Sequence, residues 1–241
     1  MEALFSTLTF AALIVLCALP FLWRDRGDRA MLPALTLGVA GYWVATFGSS
    51  LVHSLVRSIF LTPPVIDLLP VGFIGLVVGL IVTTGFELLR YLPLFVLAHY
   101  LRREPRLVPP SAAAMAIGFW GMMLLRVLWN DSSAAALSCG AGAPLYLSTV
   151  FGVVSFVILG LALSRSLRAG MLTTAALVTV QLMRQNGPSF LPDSSLFEQV
   201  LLIVDALVVL GLFAIAILIW RGRDSGKTAP DKNGPAASAG P

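Results

Sequence analysis

Apolar residues recur along this chain in blocks of about 20, long enough as helices to cross a hydrocarbon layer of about 30 Å. The first block runs from Phe5 to Trp23 and ends at a short charged hairpin, RDRGDR (Arg24 to Arg29). A second covers Met31 to Val56, and Pro63-Pro64 closes it because neither proline suits a helix interior. The third, Leu68 to Leu101, has 34 residues and would extend about 51 Å as a helix, so it must tilt, kink or lie partly in the interface. Pro93 is the expected place for a kink, and the Gly75-to-Gly79 spacing offers a close approach to a neighbouring helix.

Further spans are expected at 111–129, 145–163, 170–183 and 197–220, the sixth being short. No basic residue precedes the first block and no small-residue cleavage pattern follows it. Leu16 stands before Cys17 where a lipoprotein signal requires a small residue, so the block reads as a retained span. The expected organisation is an all-α membrane helix bundle over 1–220 followed by a disordered tail over 221–241, rich in Gly, Pro, Ala, Ser and Lys.

Composition strengthens this reading. Apolar residues make up 58% of the chain and charged residues 12%, against about 45–50% and 25% in soluble domains. A soluble globular enzyme is excluded. The net charge of +4 comes without any basic run interleaved with aromatics, so nucleic acid is not an expected partner.

The basic residues instead report sidedness. Twelve Lys and Arg fall in alternate connections: Arg24, Arg26 and Arg29, then Arg102, Arg103 and Arg106, then Arg165 and Arg168, then Arg221, Arg223, Lys227 and Lys232. The other side has only Arg57, Arg126 and Arg184, all at helix ends. The positive-inside rule then predicts seven spans, an external N-terminus and a cytoplasmic C-terminus. A bacterial inner membrane is the expected location. Cys17 and Cys139 fall near opposite faces, too far apart for a disulfide.

Charge inside a membrane is costly and marks a pair or a working site. Glu87 and Arg90, three residues apart and so on one helix face, sit near the middle of the third block. They read either as a self-neutralising pair or as a polar anchor or general base in a water-filled cavity. Asp205 in the seventh span is expected to meet Arg126 in the outer part of the fourth, with a proton or ion path as the alternative. Gln181 adds a polar group to the sixth span.

His53 and His99, at opposite ends of their spans, cannot share a metal, and neither HExxH nor GxSxG occurs. His53 with Arg57 reads as a helix-end pair or part of an external vestibule. No metal or cofactor is expected.

The order of motifs then becomes informative: GVAGYWVATFG in the second span, GFELLRYLPLFVLAHYLRR in the third, GFWGMMLL in the fourth and LFEQVLLIV opening the last. This layout resembles the YhfC family of intramembrane peptidases. The resemblance places that family's second glutamate on Glu87, its arginine on Arg90 and its aromatic on Tyr91. Phe86 stands at the first glutamate, no histidine follows His99, and Phe119, Trp120, Phe151 and Gln181 occupy spans that carry the family's histidines.

The resemblance therefore implies a catalytically degenerate member that binds a transmembrane peptide, another membrane protein or a lipid. Two alternatives stand beside it: a small transporter or channel-like protein with Glu87, Arg90, Arg126 and Asp205 along its path, and a metal-free intramembrane hydrolase using Glu87.

Overall fold

In the computed structural model of the chain, residues 2–22, 30–60, 70–129, 143–186 and 195–225 are described. The RDRGDR hairpin, Pro63-Pro64, Cys139, the side chain of Glu198 and the tail after Ser225 lie outside them. The described residues form seven long helices and no strand: α1 Glu2–Leu22, α2 Met31–Phe60, α3 Val71–Tyr100, α4 Val108–Trp129, α5 Ala143–Leu163, α6 Leu167–Asn186 and α7 Ser195–Ser225. Two single 3-10 turns, Leu101–Arg103 and Pro105–Leu107, join α3 to α4.

Five segments are long and apolar enough to cross a membrane: Met31–Phe60, Phe73–Arg103, Pro105–Arg126, Tyr146–Leu163 and Gln199–Gly222. In α1 the comparable apolar stretch, Thr7–Leu22, is shorter. α6 is more polar, carrying Thr173, Thr174, Thr179, Gln181 and Arg184 within its 20 residues. α7 continues past the expected boundary at residue 220, and Arg221 falls near its C-terminal end, where a cation suits the negative end of the helix dipole.

α5 is the helix around which the bundle closes. It touches α1, α3, α4, α6 and α7, and Phe151, Val153, Val154, Phe156, Val157 and Leu159 are all buried. A helix that is apolar on every side belongs in such a place. α2, α3 and α7 instead expose large apolar side chains, among them Leu51, Leu55, Ile59, Leu88, Leu92, Leu207 and Leu218.

Exposed hydroxyl groups on α2 and α6 are satisfied within their own helix. Ser54 donates to Ser50 O at 2.9 Å, Ser58 to Leu55 O at 2.7 Å and Thr179 to Ala175 O at 2.9 Å. Lipid offers no other partner for such groups.

Close backbone packing joins α2 to α4. A Cβ on Gly38 would stand 2.1 Å from Met115 O, and one on Gly118 the same distance from Leu35 O. Two glycines on facing helices thus let the backbones touch, the arrangement small residues provide in membrane bundles. Gly75, the glycine expected to serve this role, has nothing within 4 Å of the Cβ it lacks. α3 runs unbroken through Pro93, whose ring fills the space left by Gly41, 2.9 Å from the position of the missing Cβ.

The helix ends group into two faces. Phe21 meets Trp220 edge-on at 6.1 Å, Gly160 near the end of α5 packs on Val108 and Pro109 at the start of α4, and Ala30 and Pro33 share a cleft with Tyr100 and Arg103. One face therefore gathers the ends of α1, α3, α5 and α7 with the starts of α2 and α4.

Candidate functional site

On an α-helix, Glu87, Arg90 and Tyr91 lie three and four positions apart and so project from one face. That face of α3 meets α5, and the three side chains are buried completely or nearly so. Arg90 Nη1 donates to Glu87 Oε1 at 3.1 Å, and Nη2 lies 2.8 Å from Oε2, giving a two-pronged ion pair.

The same guanidinium reaches across to α5. Nη2 donates to Tyr91 Oη and, at 3.2 Å, to Ser155 Oγ. Tyr91 Oη donates to Ser155 Oγ at 2.9 Å, and Ser155 passes its own proton to Gly152 O at 2.7 Å. Charge on α3 is thus tied through two hydroxyls to a backbone carbonyl of α5. Arg90 also lies over the Tyr91 ring at 4.6 Å and near the Phe156 ring at 5.8 Å, contacts that favour a cation. Glu87 Oε2, Arg90 Nε and Trp120 Nε1 have no hydrogen-bond partner among the described residues, so Oε2 is held by the charge of Arg90 alone.

A second charged group lies one turn along α5. Arg184 of α6 pairs with Asp205 of α7, with Nη2 at 2.8 Å from Oδ2. Its Nε binds the other carboxylate oxygen, and Nη1 donates to Gln181 Oε1 at 2.9 Å. The guanidinium stacks over Phe151 at 4.4 Å, and Phe151 precedes Ser155 by four residues on the same helix. The two groups differ in enclosure: side-chain exposure is 1–2% for Glu87 and Arg90, against 11% for Arg184 and 23% for Asp205.

Two expected partners are not brought together. Arg126 donates to Tyr42 Oη at 3.2 Å instead of meeting Asp205. The reason is the helix order: α4 lies against α2, α1 and α5, while α7 lies against α5. Asp205 finds Arg184 because the end of α6 and the beginning of α7 both flank α5. His53 and His99 sit exposed on different helices, apart from either charged group. Among the described residues no cluster of three or more His, Cys, Asp or Glu stands close enough to hold a metal ion.

Phe86, beside Glu87, takes part in an aromatic cluster rather than in the charged core. It meets Phe119 at 6.4 Å, and Phe119 in turn meets Tyr42, Trp120 and Phe156 at 5.5 to 5.8 Å. Phe119, Trp120, Phe151 and Gln181 are all buried around the two charged groups.

Sequence reasoning missed Ser155 and the Arg184 to Asp205 link. Ser155 had a signal, being the single hydroxyl in the apolar run GVVSFVILGLAL. Arg184 and Asp205 were available as opposite charges at neighbouring ends of consecutive spans. Compared with known proteins, the chain matches no family model, no curated protein and no solved structure.

Proposed function

We propose that this chain is a seven-span protein of a bacterial inner membrane, with its N-terminus outside and its C-terminal end cytoplasmic, that binds a membrane-embedded peptide or lipid and does not hydrolyse it. In this reading it resembles the YhfC intramembrane peptidases in layout, and its charged core anchors α3 to α5. The observation that carries the non-hydrolytic role is the enclosure of Glu87, which is fully buried with both oxygens facing Arg90. A general base needs hydrogen-bond reach to a water or a substrate proton. Here the guanidinium occupies that place, and Phe86 supplies an aromatic edge where the family resemblance puts a second carboxylate.

A double-mutant cycle tests the anchor. Glu87→Gln or Arg90→Met alone leaves one buried charge without its counterpart, a loss of roughly 3–5 kcal/mol. The double variant removes both charges and should recover most of the loss, measured as thermal stability of the detergent-purified protein. If both single variants are as stable as the parent, the anchor reading fails and Glu87 becomes a working carboxylate.

One observation favours a transport role as the second reading. Exposure rises from the enclosed Glu87 and Arg90 to the slightly exposed Arg184 and Asp205, which are linked along Phe151 and Ser155 of α5. A graded series of charges of this kind suits a proton path. Proteoliposomes containing a pH-sensitive dye test it: a transport role requires proton flux that Asp205→Asn abolishes, and the anchor reading predicts no flux in either protein.

A further inference from the structure

The connection between α3 and α4 is short, buried on one side and basic on the other. Leu101 and Leu107 are buried, while Arg102, Arg103 and Arg106 are exposed. Between this connection and the start of α2 lies a cleft of about 720 Å³. Its walls are largely apolar, with Pro33 and Leu37 from α2 and Leu97 and Leu101 from the other side, and Arg103 and Glu104 stand in its lining.

We infer that this cleft is a binding site for one anionic phospholipid of the leaflet that faces the arginine-bearing turns. The two halves of the cleft match the two halves of such a molecule. An acyl chain needs an apolar slot reached from the side of the bundle, and Leu37, Leu97 and Leu101 provide it. A phosphate needs a cation beside the slot, and Arg103, which is exposed, lines the cleft.

Charge complementarity selects the anionic headgroup. Among the described residues Arg102 and Arg103 make no ion pair, and Glu104 lies 4.0 Å from the exposed Arg106. The turn thus presents three guanidinium groups against one carboxylate, and two of the three make no ion pair among the described residues. A planar guanidinium holds a phosphate through two parallel hydrogen bonds, and basic pockets between spans on the cytoplasmic side are suited to acidic lipid headgroups.

The depth also fits. Tyr100 is 83% exposed at the last position of α3, the level at which aromatic side chains mark the boundary between headgroups and acyl chains.

The site lies apart from the charged core, and its leaflet rests on the proposed orientation. The test uses the full chain in non-ionic detergent, where orientation plays no part. Native mass spectrometry measures binding of phosphatidylglycerol and of phosphatidylcholine with identical chains. The inference predicts one phosphatidylglycerol per chain, held about tenfold more tightly than phosphatidylcholine.

Arg103→Gln should weaken phosphatidylglycerol about fivefold and leave phosphatidylcholine unchanged. Leu37→Trp, which fills the slot, should weaken both, with the unfolding temperature showing that each variant is folded. Equal binding of the two lipids by the parent protein, an unchanged preference in Arg103→Gln, or a peptide in place of lipid in the cleft overturns the inference. An inverted orientation with the preference intact would leave the site standing and move it to the other leaflet.

Discussion

Arg90 carries five N–H donors, and its two terminal nitrogens serve Glu87, Tyr91 and Ser155 together. Ser155 accepts from two neighbours and donates to Gly152 O, but it is neutral, so its loss leaves hydrogen bonds unmade and no charge unpaired. Ser155→Ala should cost about 1–3 kcal/mol by leaving buried donors unsatisfied, less than either change in the ion pair. Equilibrium unfolding in detergent measures the order. Arg184 and Asp205 are partly exposed, so solvent or headgroups soften the loss of one partner. Arg184→Gln should therefore cost less than Arg90→Met, at about 1–3 kcal/mol, and the same unfolding series decides it.

The pairing of Glu87 with Arg90 was legible in the sequence because both lie on one helix, where spacing alone sets the face. The partner of Arg126 was not, since it depends on which helices touch. Arg126 bonds to Tyr42 from a parallel neighbour, a contact that no spacing within α4 announces.

Elements were easier to read than their contacts. Each of the seven expected apolar blocks corresponds to a helix, with ends displaced by a few residues, because a run of apolar residues about 20 long has few other ways to satisfy its backbone. The choice of packing glycine was harder. Gly75 and Gly79 show the GxxxG spacing, yet Gly75 faces open space while Gly38 and Gly118 bring α2 and α4 into contact. Spacing shows that a helix has a smooth strip and leaves open whether anything lies on it.

Gly38→Leu or Gly118→Leu should push α2 from α4 and lower stability by several kcal/mol, since the obstacle is backbone and cannot turn aside. Gly75→Leu should change stability by less than about 1 kcal/mol. Thermal unfolding of the three variants side by side checks the contrast. Comparable losses in all three would mean that Gly75 also has a partner, such as a second copy of the chain.

At the scale of the whole molecule, the proposed alternation is a reading of the arginine distribution, and the packing of helix ends can be set beside it. The arginine distribution places the connections after α1, α3 and α5 and the end of α7 on one side. Packing brings the same ends together through Phe21 with Trp220, Gly160 with Val108, and the cleft shared by Pro33 and Arg103. In the proposed orientation this face is the cytoplasmic one, by the positive-inside rule.

The central proposal is that the polypeptide crosses the bilayer seven times; it includes α6, whose Gln181 and Arg184 find partners within the bundle. Alkaline phosphatase, active only outside the cytoplasm, fused after Trp129 and, in a second fusion, after Ser225 tests it most directly. The account predicts an active enzyme after Trp129 and an inactive one after Ser225. Activity after Ser225 would contradict it, showing that α6 or another helix does not cross.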